Sequence, residues 1–114
     1  MKKHIDELTN QELYYWVAKS FGWKQEHVTG GSFGSIGCLC WVPPHGRPRF
    51  TVAGYDPTVS WEQCGPLIKQ FKLIVSAKSC YSTTSGRTWV GDTPQIAICK
   101  AVISGKYGEF VEGE

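Results

Sequence analysis

Neither sign of charge dominates this sequence. Twelve Lys and Arg face ten Asp and Glu, leaving a net charge of +2, too little to drive non-specific binding to nucleic acid or to an anionic membrane. No apolar run approaches the roughly 18 residues that span a bilayer, and the opening MKKHIDELTN carries no apolar h-region. A cytoplasmic location is therefore expected. The five cysteines, Cys38, Cys40, Cys64, Cys80 and Cys99, are odd in number and scattered, unlike a secreted disulfide framework. They are expected to be reduced thiols, mostly small core residues. Cys38 and Cys40 with His45 lack the second closely spaced pair that a zinc site usually adds, so no metal and no cofactor is expected.

What is present is ordinary in bulk and unusual in one respect. The 114 residues, 41% hydrophobic and 19% charged, suit one soluble globular domain over 1–114 with a single modest core. Five Trp are many for this length. Each brings a large apolar area and one N–H that needs a partner, so each is a core anchor or part of a binding surface.

Thr9-Asn10-Gln11-Glu12 has the form of a capping box, and Leu13, Trp16, Val17, Ser20 and Phe21 recur at helical spacing. A helix from about Asn10 to Phe21, stopped by Gly22, follows. The Gly- and Pro-rich part from His27 to Tyr55 holds two short strands, IGCLCWV and RFTVAGY, joined by a PPHGRP loop. Asp56 caps a turn at Pro57, and a second helix is expected to start near Cys64 with Pro66 in its first turn, where a missing N–H costs nothing. Leu67, Ile68 and Phe71 form its buried face. KLIVSAK and CYSTTSGRTWV read as strands, with Ser85-Gly86 in a hairpin turn. Asp92-Thr93-Pro94 starts a third helix, Asp92 being read as its cap. That helix is apolar on nearly all sides from Ile96 to Ile103, which places it at the centre of the core. Residues 109–114 are expected to fray as an acidic tail. The expected fold is α+β: a small antiparallel sheet of about four strands with three helices, in the order α-β-β-α-β-β-α.

Several of these stretches also resemble a known family. YDPT-x-x-W-x-x-x-GP-L-I, then a Trp and GDTP-x-I-A-x-x-K-A-V-x-S-G-K-Y-G, preceded by LTNQELYYWVAKSFGW, resemble the phage NinX-like family of small uncharacterised proteins. The likeness covers most of the chain outside the Gly-rich part from Thr29 to Pro48. It implies a bacteriophage product made in the host cytoplasm and no known reaction.

Chemistry-bearing patterns are sparse. A nucleophilic cysteine needs a histidine base, and only His4, His27 and His45 are available, two of them in polar, mobile-looking segments. Asp56, Glu62 and Asp92 are explained as caps and first-turn charges. GGSFGSIG lacks the Gly-Lys-Ser/Thr ending of a phosphate loop and reads as a flexible loop. The remaining constellation combines aromatics with arginines: Trp41, Arg47, Arg49, Phe50, Tyr55, Trp61, Arg87 and Trp89. Bases stack on such rings, arginine grips phosphate through paired hydrogen bonds, and the helix starts near Trp61 and Thr93 offer N–H groups to the same anion. The competing reading places Trp16 and Trp61 in the core and the arginines in solvent. The expectation is thus a non-enzymatic phage accessory protein that sequesters a nucleotide messenger of host defence, either a cyclic dinucleotide or an ADP-ribose-type signal. Its expected ligand residues are Trp41, Arg47, Arg49, Tyr55, Trp61, Arg87, Trp89 and Thr93, in a homo-oligomer that binds neither long nucleic acid nor membrane. The alternatives are a protein-interaction antagonist of a host factor and an enzyme that cleaves such a messenger.

Overall fold

The computed structural model describes residues 2–30, 35–44, 46–47, 50–51, 54–83 and 86–112. Among them are three α-helices, α1 (Asn10–Ser20), α2 (Trp61–Gln70) and α3 (Pro94–Tyr107), and eight short strands. The strands are β1 (Lys2–His4), β2 (Lys24–Val28), β3 (Cys38–Val42), β4 (Phe50–Thr51), β5 (Leu73–Val75), β6 (Ser79–Ser82), β7 (Arg87–Val90) and β8 (Phe110–Glu112). The fold is α+β, as the sequence indicates. All pairings are antiparallel, and they fall into three small sheets, β1-β8, β2-β3-β4 and β5-β6-β7.

Helix α3 lies at the centre. Ala97, Ile98, Cys99, Ala101, Val102, Ile103 and Ser104 are all buried, so every side of its middle turns is covered, as expected for a helix apolar all round. Leu13 and Val17 of α1, Cys64 and Leu67 of α2, and Leu73, Cys80 and Trp89 of the β5-β6-β7 sheet belong to the same core. Thr9 caps α1: its hydroxyl accepts from the Glu12 N–H at 3.2 Å while the Glu12 carboxylate accepts from the Thr9 N–H at 3.1 Å. At α3 the cap is Thr93 and not Asp92. The Thr93 hydroxyl accepts from the Ile96 N–H at 3.3 Å, and Pro94 takes the first helical position.

Helix α2 starts three residues earlier than its sequence suggests, at Trp61, which puts Pro66 inside the helix. The reason lies in the turn before it. Asp56 accepts at its carboxylate from the Thr58 N–H at 3.0 Å and from the Thr58 hydroxyl, and its carbonyl accepts from the Ser60 N–H at 2.9 Å. Gln63 completes the fold-back, its amide accepting from the Asp56 N–H at 2.6 Å and donating to the Gly54 carbonyl at 2.8 Å. With Gln63 so committed, the turn closes by Ser60 and the Cys64 N–H already bonds the Ser60 carbonyl. Ser60 itself makes no side-chain cap. Proline then falls where an N–H is normally used, and Gly65 before it tolerates the helical conformation that a preceding Cβ would make crowded.

The ends of the described chain are more ordered than their composition implies. Lys2–His4 pairs with Phe110–Glu112, and Ile5 and Val111 are buried. The acidic segment read as a frayed tail is thus a strand through Glu112. The expected turn residue Ser85 lies outside the described residues, but Gly86, at φ +71°, closes the β6-β7 hairpin with its N–H on the Ser82 carbonyl at 2.8 Å. No described helix is long and apolar enough to cross a membrane.

Candidate functional site

Strand alternation brings Arg87 and Trp89 to the same face of β7. That face turns toward α3 and the β1-β8 ribbon, where a cavity of about 370 Å³ is lined by His4, Asp6, Arg87, Thr88, Trp89, Val90 and Glu109. A second cavity of about 360 Å³, lined among others by Asn10, Lys78, Asp92 and Lys100, shares Asp6 and Val90 with the first. Together they form one groove beside β7. Between the two, Lys100 donates to the Val90 carbonyl at 2.8 Å and to the Asp6 carboxylate at 3.2 Å.

The groove has an aromatic wall and a balanced charge. Trp89 is 5% exposed, its ring centroid is 5.8 Å from that of His4, and its indole N–H is buried without a hydrogen-bond partner among the described residues. His4 is held in place by accepting at Nδ1 from the Asp6 N–H at 3.1 Å. Its far side meets Phe110 edge-on, with centroids 5.2 Å apart. Arg87 forms an ion pair with Glu109.

The other residues expected at a site are dispersed. Trp41 is fully buried, against Tyr15 at 5.6 Å between centroids. Tyr55 is buried, edge-on to Trp23 at 5.3 Å. Both belong to the core because their rings fill the space between α1, the β2-β3-β4 sheet and the Asp56 turn. Trp61 goes the other way. It is 50% exposed on the first turn of α2, because α2 turns its Cys64 and Leu67 side inward. Arg47 is exposed in the loop before β4, Arg49 and His45 lie outside the described residues, and Thr93 uses its hydroxyl as the α3 cap. Of the eight expected residues the groove unites two, Arg87 and Trp89. His4 and Glu109, which complete it, stand at opposite ends of the sequence, and no local pattern pairs them.

The thiols are set apart from the groove. Cys64, Cys80 and Cys99 are buried where α2, β6 and α3 meet, while Cys38 is exposed and so does not join Cys40 in a buried pair. The interaction of the Cys64 and Cys99 thiols lowers Cys64 and, with burial, pushes Cys99 well above its ordinary value. Burial, then the neighbouring Cys64, pushes Cys80 up to about 11. With raised values, the buried Cys80 and Cys99 are poor nucleophiles. Among the described residues no group of three His, Cys, Asp or Glu is placed to hold a metal ion. Compared with known protein families and with curated proteins, the chain matches no family model and no curated protein.

Proposed function

We propose that this protein is a non-catalytic binder of a small phosphorylated nucleotide, held in the groove beside β7, and that it acts by sequestration. The observation that supports this most is the meeting of Arg87 with His4 and the edge of Trp89 in one cavity, a guanidinium for phosphate beside a half-buried imidazole ring that a base can contact. The two cavities, each of about 360–370 Å³, fall together within the roughly 300–1,000 Å³ range of small-ligand sites. Holding without cleavage belongs to this proposal, and the state of the released ligand tests it. The phage origin and the choice between cyclic dinucleotides and ADP-ribose-type signals are part of the same proposal, and rest on the sequence resemblance.

The test is incubation of the purified protein with candidate messengers, followed by washing, heat denaturation and mass spectrometry of the released ligand. Intact ligand supports sequestration, altered ligand replaces it with an enzyme, and no retention of any nucleotide refutes both. Arg87→Ala is the informative variant because Arg87 is exposed. It is expected to lower retention at least tenfold with an unchanged melting temperature. Trp89 is a core residue, so its ring is probed by Trp89→Phe and not by truncation.

A second reading, an antagonist that covers a host protein, is favoured by the outer face of the β5-β6-β7 sheet. Ile74, Tyr81 and Thr88 stand in register across it, and Ile74 and Val90 are each 61% exposed. An apolar row on one side of a sheet suits a protein partner. Ile74→Lys separates the two readings: it leaves nucleotide retention intact and abolishes partner binding.

A further inference from the structure

We propose that Glu109 occupies the anion position of the groove and competes with the ligand for Arg87. This rests on the nucleotide reading above and specifies how that site is regulated.

Glu109 is placed with some care for a residue just outside a helix. Gly108 ends α3 at φ +83°, a left-handed conformation that favours glycine, and the chain turns back at once toward the β1-β8 ribbon. The Glu109 carbonyl then accepts from the Ile5 N–H at 3.0 Å, which pins the residue to the segment that carries His4 and Asp6. Its carboxylate is thereby delivered to Arg87 inside the cavity. Lys100 is answered in the same way by Asp6, so two cations of the groove already have internal carboxylate partners.

A carboxylate on a guanidinium reproduces the geometry of a phosphate on a guanidinium, with one charge and two acceptor oxygens. In the resting state it satisfies Arg87, and it repels an incoming anion. The pair is also easy to exchange. The Arg87 and Glu109 side chains are 53% and 38% exposed, and an ion pair in that setting is screened by water and weak. A ligand whose phosphate offers more hydrogen-bond acceptors to Arg87, and whose base gains contact with the His4–Trp89 wall, displaces the carboxylate. A small anion without a base displaces it only at higher concentration. Glu109 thus acts as an internal competitor that sets a threshold affinity.

The experiment compares the full-length protein with Glu109→Gln, which keeps the side-chain shape and the backbone contact but removes the charge. The probes in isothermal titration calorimetry are ADP-ribose and, as the phosphate-free control, adenosine. ADP-ribose is expected to bind the variant about three- to fivefold more tightly, the upper part of the range that an exposed ion pair is worth, with adenosine unchanged. Equal ADP-ribose affinity in the two proteins overturns the competitor role of Glu109 while leaving the nucleotide reading in place. If neither nucleotide binds either protein, the nucleotide reading falls, and a second measurement still decides on Glu109. The Arg87 Nε–H resonance is followed by NMR as inorganic phosphate is added. Saturation at three- to fivefold lower phosphate in Glu109→Gln supports the competition, and identical titrations refute it.

Discussion

Pro66 in the second turn of α2 should cost stability that a single substitution recovers. Its nitrogen has no hydrogen to give the Glu62 carbonyl, whereas the bonds on either side of the gap, from the Cys64 N–H to Ser60 and from the Phe71 N–H to Leu67, are both 2.9 Å. Proline in a helix interior is about 3 kcal/mol worse than alanine, and replacing it loosens the unfolded chain, which offsets about 0.4–1 kcal/mol. Pro66→Ala is therefore expected to stabilise by about 2 kcal/mol. With an unfolding entropy of about 2.1 cal/mol/K per residue, this raises the melting temperature of a domain of this size by about 8 °C. The partner change tests why glycine precedes it. A Cβ at position 65 meets nothing within 4 Å from the rest of the fold, so Gly65→Ala should gain about 1 kcal/mol in a helix interior. Beside Pro66 that gain is opposed by crowding between the new Cβ and the proline ring. The double-mutant cycle is run by urea unfolding with circular dichroism. We expect a clear gain for Gly65→Ala in the Pro66→Ala background and little or none in the native one. A neutral or destabilising Pro66→Ala refutes the argument from the missing N–H, and equal effects of Gly65→Ala in both backgrounds refute the crowding.

Two further outcomes follow from the caps and the thiols. The Thr9 backbone N–H and then Lys3, at 3.0 Å, hold the Glu12 carboxyl below the usual carboxylate range. Its contribution is complete above about pH 4.3, the ordinary glutamate value, and is lost as pH falls through the lowered folded value; the gap in melting temperature between the native protein and Glu12→Gln should narrow on acidification below that pH. Of the five cysteines, only Cys38 is exposed, so native protein treated with iodoacetamide should gain one adduct, at Cys38, and denatured protein five, by mass spectrometry.

The elements that sequence reveals here are those whose cause is local. The Thr9–Glu12 box, the Thr93-Pro94 start and the all-round apolar face of α3 each lie within a few residues of the feature they determine. The start of α2 was misjudged because the deciding bonds run from Gln63 back to Asp56 and Gly54, a fold-back with no periodic signature. The aromatics show the same limit. A Trp in a strand has the same sequence appearance whether its face meets a helix, as Trp89 does, or fills the space beneath α1, as Trp41 does. Strand alternation puts Arg87 and Trp89 on one side of β7, but the same spacing in Arg47 and Arg49 leaves the pair undistinguished in the sequence. Their completion by His4 and Glu109 depends on tertiary pairing of segments about a hundred residues apart, for which one sequence offers no signal.

That long-range pairing also fixes when the groove exists during the life of the molecule. Closing a loop of this length is entropically the most demanding contact of the fold, and the three-residue ribbon of β1 with β8 offers few hydrogen bonds in return. We expect the ribbon to zip up after α1, α3 and the β5-β6-β7 sheet have packed, completing the core with Ile5 and Val111, and to open before they do. Molecules in which the ribbon is open would carry a folded core and no binding site. Amide exchange at Lys3 and Val111 would report the fraction of molecules able to capture ligand at any instant.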